Sequence, residues 1–118
     1  MVGLAWGALA VAALPGTALA HAILKSSTPV ANATVAGPDL DVLMHFNSRI
    51  DQQRSRLAVV LPDGSRKPLA IIPNQTDPTV LAGRLQGLVA GAYTLNWRVL
   101  SVDGHMTRGN VPFTVGGR

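Results

Sequence analysis

From residue 40 the chain alternates. Leu40, Val42, Met44 and Phe46 are separated by Asp41, Leu43 and His45, the two-residue period of a strand with one buried face. "RLAVVLPDG" then runs into Pro62-Asp63-Gly64, a turn in which proline sets φ and glycine accepts a positive one. "KPLAIIP" and "TVLAGRL" read as short strands separated by the polar Asn74-Gln75-Thr76-Asp77-Pro78. The longest alternation is "GAYTLNWRVLSV" at 91–102, with Tyr93, Leu95, Trp97 and Val99 in one set. "NVPFTV" closes the series, and "AILKSSTP" opens it.

The pattern predicts about seven short strands and no long segment with a 3.6-residue period. Such a series is the signature of an all-β, immunoglobulin-like antiparallel sandwich. The chain has no cysteine, so this sandwich must hold through its core alone. A domain of this size buries one modest core and has little room for a deep cleft, which places any site on an edge or in loops.

Residues 1–20, "MVGLAWGALAVAALPGTALA", are apolar and uncharged, and end in Ala18-Leu19-Ala20. Pro15 and Gly16 break a helix just before those small residues, as in a signal peptide cleaved after Ala20. No Lys or Arg precedes Lys25, so the basic segment that opens such signals is missing from this stretch, and a retained anchor helix is the plainer alternative. With cleavage, the mature domain is 21–118, and its location is periplasmic or otherwise extracytoplasmic. Beyond residue 20 no apolar run approaches the length of a membrane span, and the mature chain reads as a soluble monomer.

All ten Lys and Arg and all six Asp lie after residue 20, leaving a net charge of +4. The basic residues are scattered, with no stripe interleaved with aromatics, so nucleic acid is not the expected partner.

The candidate chemistry lies in "SVDGHMTRG" at 101–109. A turn uses Asp103 and Gly104 but has no need of His105. Cleavage after Ala20 exposes His21, whose α-amine and imidazole Nδ1 can chelate one metal. His105 adds a second imidazole and Asp103 a carboxylate, a set of three nitrogens and one oxygen that suits tetragonal Cu(II). On an extended segment Asp103 and His105 project to the same side, and Gly104 lets the backbone bend without a Cβ in the way. Each part has a plainer reading: a terminal His by chance, an ordinary Asp-Gly turn, a solvated His105. His45, the third histidine, reads as a half-exposed sheet residue. Met44, Tyr93 and Trp97 read as core.

"HAILKSSTPVANATV" after the apolar opening, "YTLNWRVLSVDGH" and the closing "PFTV" together resemble the CopC family of periplasmic copper-binding proteins. The resemblance covers essentially all of 21–118. It implies a small Greek-key β-barrel or sandwich and a non-enzymatic role in copper homeostasis or resistance. It implies one Cu(II) per chain, held by His21, Asp103 and His105, and a CopD-type inner-membrane copper transporter as partner. Two departures stand out. Phe46-Asn47-Ser48-Arg49 replaces a common Phe-Ser-Glu-Pro, removing the Glu and placing a cation there. After residue 20 only Met44 and Met106 are methionines, too few for a thioether Cu(I) site. Two other readings compete: a copper monooxygenase, which also uses an amino-terminal His, and a metal-free immunoglobulin-like interaction module.

Overall fold

The computed structural model describes residues 21–74 and 76–117. The expected signal and its cleavage after Ala20 lie outside them. Eight strands form: β1 (Leu24–Thr28), β2 (Thr34–Val35), β3 (Leu40–Phe46), β4 (Ile50–Val60), β5 (Arg66–Leu69), β6 (Val80–Leu85), β7 (Gly91–Ser101) and β8 (Met106–Val115). The strand additional to the expected seven is β2, whose two residues are too few to show a period.

The strands make two sheets, β1-β3-β6 and β2-β8-β7-β4-β5. All pairings are antiparallel except the short β2–β8 contact, which is parallel. The neighbours β4 and β7 are far apart in sequence, because the chain crosses to the other sheet for β6 between them, as in a Greek key.

The alternation read from the sequence sets the layers. Val42, Met44 and Phe46 of β3 face Leu95, Trp97 and Val99 of β7 across a core completed by Leu57, Leu81, Val111 and Phe113. Met44 is fully buried. Phe46 meets Trp97 edge to face at 5.2 Å, and Tyr93 stacks on Phe113 at 5.4 Å. The Tyr93 hydroxyl donates to Val89 O at 2.7 Å and accepts from Val89 N at 3.0 Å, the corner bond that many such sandwiches use. Among the described residues the core and every strand fall within 22–115.

One irregularity shapes the end of the long sheet. The β4–β7 register shifts between Asp51 and Arg56, which leaves ladder groups without partners. Ser55, fully buried, fills the break: its Oγ donates to Asp51 O at 2.7 Å and accepts from Leu100 N at 3.2 Å. Beyond the break the ladder resumes, with Leu100 and Ser101 paired to Asp51 and Ile50.

Gly109 lies opposite Trp97 on β8. A Cβ there would stand 2.5 Å from a Trp97 ring carbon. Gly109→Ala is therefore expected to cost about 1–3 kcal/mol by overpacking. Urea denaturation of 21–118 would measure it.

Candidate metal centre

The β7–β8 hairpin brings the Asp-Gly-His stretch to one end of the sandwich. Leu100 pairs with Met106 at its base. Ser101 N donates to His105 O at 2.8 Å and Gly104 N to Ser101 O at 2.9 Å. The segment is thus a tight turn, the plainer reading of its Asp-Gly pair. The turn nevertheless brings the two side chains together, with His105 Nδ1 3.1 Å from Asp103 Oδ2. Gly104 has φ +94°, and no atom lies within 4 Å of where a Cβ would be. The glycine is therefore required for its backbone angle rather than for space.

His21 reaches this turn from the other end of the chain. Ala22 is buried, and its carbonyl accepts from Thr107 Oγ1 at 2.8 Å. Ile23 is clamped on its other side: its N–H donates to Asn47 Oδ1 at 2.8 Å, and its carbonyl accepts from Asn47 N at 2.9 Å. Held between β8 and the β3–β4 loop, the segment sets the His21 ring 4.7 Å from that of His105, edge to face at 76°. His21, Asp103 and His105 are all exposed.

The electrostatics of the turn favour an ionised carboxylate. Ser101, buried, sets its Oγ against Asp103 Oδ1 and 3.1 Å from His105 O. One hydroxyl hydrogen serves one acceptor at a time, and the charged carboxylate is the stronger. The Ser101 hydroxyl, aided by the backbone N–H and ring of His105, holds the Asp103 carboxyl below the usual carboxylate range. With Nδ1–H given to Asp103, the free lone pair of the His105 ring is on Nε2.

Among the described residues, no three side chains of the His, Cys, Asp or Glu type already converge as a metal-binding group. What stands together is two imidazole rings and a carboxylate bonded to one of them. His45 is elsewhere: it is half-buried on β3, opposite Ser26 and Val80. Met106 adjoins His105 and is partly exposed. Val102 N makes a long 3.4 Å bond to Arg49 O, which ties the Arg49 backbone one residue from Asp103.

Three residues of this end had no role in the sequence reading: Ser101, Asn47 and Thr107. Their contacts span 2, 24 and 85 positions. Only the first lay within a motif where spacing could have flagged it.

The chain is a small two-sheet β-sandwich with His21 laid against an exposed Asp-Gly-His turn at one end. The CopC domain model matches residues 24–116, and the chain belongs to the CopC family. It is 34% identical over 98 residues to Protein YobA of Escherichia coli K12, covering 81% of this chain and 79% of that one. The crystal structure of CopC from Methylosinus trichosporium OB3b superposes with a TM-score of 0.75 at 27% identity, over 83% of this chain and 96% of that one. The methionine-rich copper resistance protein PcoC of Escherichia coli gives 0.67 at 33% identity, over 82% and 100%.

Replacing Ser101 by Ala removes the first cause of the lowered Asp103 pKa. Followed by carboxyl NMR, Asp103 is expected to titrate below its ordinary range in the native protein and to move up in the variant. Because the folded-state pKa is depressed, this contribution to stability is present above the unfolded pKa and is lost as pH falls through the folded one.

Proposed function

We propose that this protein is an extracytoplasmic copper carrier that binds one Cu(II) and hands it on or sequesters it. Signal cleavage after Ala20 would free the His21 amine, which with the His21 ring, the His105 ring and Asp103 makes a three-nitrogen, one-oxygen set. The observation that carries the reading is the meeting of the His21 and His105 rings at 4.7 Å, from 84 positions apart in sequence. Membership of the family that includes PcoC, named a copper resistance protein, supports copper as the cargo.

Exposure of all three residues suits a cargo that must leave again. The chain contributes ligand positions and their orientation: Thr107 and Asn47 hold the first residues in place, and Asp103 fixes the His105 tautomer. PcoC is described as methionine rich, whereas here Met44 is core and Met106 stands alone. The reading is therefore of a single Cu(II) site without a thioether Cu(I) site. A CopD-type membrane transporter is the partner that family membership suggests.

A Cu(II) titration of 21–118, beside a version with one extra residue before His21, tests this. Trp97, the one tryptophan after residue 20, serves as reporter. One-to-one binding with a tetragonal, nitrogen-rich spectrum is expected, weakened at least about a hundredfold by the extra residue, which destroys the amine chelate. Equal binding by both versions would remove His21 from the site and leave a plain sandwich module. Affinity is expected to fall on acidification, since binding displaces a proton from an amine of unperturbed pKa about 7.7–8.0. Asp103, already ionised, contributes little to that slope near neutrality.

A further inference from the structure

The outer face of the five-stranded sheet carries a row of like charges. Arg56, Arg98 and Arg108 are direct cross-strand partners on β4, β7 and β8. In the next row, away from the metal turn, Asn96 Nδ2 donates to Asn110 Oδ1 at 2.7 Å. Arg66 reaches in from β5, and its Nε donates to Asn96 Oδ1 at 3.2 Å. These four guanidinium groups and two amides line one open concavity of about 550 Å³.

Like charges directly opposite one another destabilise a sheet, so a row of three calls for a counter-charge. Among the described residues none is supplied. All six Asp are among the described residues, and their arginine pairs use Arg54 and Arg84 only. Asp103 is engaged with His105.

The four arginines of the face have only neutral partners or none. Arg56 Nη1 donates to Gln53 O and Ser55 O at 2.9 and 2.8 Å, and Arg66 is tied to Asn96. Among the described residues Arg98 and Arg108 donate to nothing. Two guanidinium groups are thus positioned by uncharged acceptors, and two stand free beside them.

We propose that this face binds a phosphate-class oxyanion, either free or as the headgroup of a phospholipid. A guanidinium fork matches phosphate oxygens two at a time. Partner residues on adjacent strands lie about 4.5–5.5 Å apart at Cα, so three forks can close on one tetrahedral group. A planar carboxylate, with two oxygens, is saturated by one or two forks and leaves the third unpaired. The Leu100–Met106 pair separates this row from the Asp-Gly-His turn, and the proposal does not depend on the copper reading.

The test titrates 21–118 with inorganic phosphate at constant ionic strength, followed by amide NMR shifts. Expected are saturable shifts confined to β4, β7 and β8 around the three arginines. Arg98→Ser/Arg108→Ser should weaken binding at least about tenfold. Lys25→Ser/Arg49→Ser, with the same loss of charge off this face, should bind as the native protein does. Thermal melts of both variants check that each is folded.

A second arm sediments the protein with vesicles of phosphatidylglycerol in phosphatidylcholine, or of phosphatidylcholine alone. Binding that needs phosphatidylglycerol and is lost in the Arg98/Arg108 variant identifies a lipid headgroup as the source. A phosphate response without vesicle binding identifies the free anion. No saturable response in either arm, or equal losses in the two double variants, overturns the proposal. So does binding of an oligoglutamate peptide when neither phosphate form binds, which would make the face an acidic-protein dock instead.

Discussion

The hydrogen bond from Thr107 to the Ala22 carbonyl joins residues 85 positions apart, and the metal-centre geometry depends on it. His21 precedes the first strand and has no ladder of its own to hold it. A residue outside any strand, left to itself, samples many orientations, and ordering it costs conformational entropy. Here that cost falls on the clamp around it. Ala22 is buried, Thr107 takes its carbonyl, and Asn47 grips both backbone groups of Ile23. The imidazole is then carried on a fixed backbone and needs only its own rotamer.

The other half of the centre is supported from below. β7 stays regular up to Ser101 because the Ser55 hydroxyl mends the ladder where β4 shifts register. Ser101 then sets the carboxylate of the turn, and Gly104 takes the left-handed angle that closes it. Each support is a hydroxyl or amide satisfied within the fold, so the turn is organised before any ligand arrives. The same regular strands present the arginine row on their outer face. Strand register is what turns three separate arginines into one charged row.

Much of the fold was legible because one period governs it. The sets Val42-Met44-Phe46 and Tyr93-Leu95-Trp97-Val99 are the two inner faces of the sandwich, as their alternation implied. β2 was not legible, since two residues cannot show a period. That Asp103 and His105 share a side was legible from their spacing, but the backbone that provides it was not. Two-residue spacing is shared by strands and tight turns, and the Asp-Gly pair favoured the turn. The candidate ligands were readable from residue type and from the small-residue stretch before His21. Asn47 and Thr107 were not, because a single polar residue acquires such a role only from a long-range contact. The arginine row was hidden likewise: 56, 98 and 108 share no spacing, and only strand register brings them together.

The central claim is that the fold holds an amino-terminal His21 beside His105 so that both rings take one Cu(II). Pulsed EPR of Cu(II)-loaded 21–118 tests it directly, because the remote nitrogen of each bound imidazole modulates the echo. The account predicts modulation from two imidazoles, falling to one in His105→Gln with the one-to-one stoichiometry retained. A single imidazole in the native protein, unchanged by His105→Gln, would contradict it.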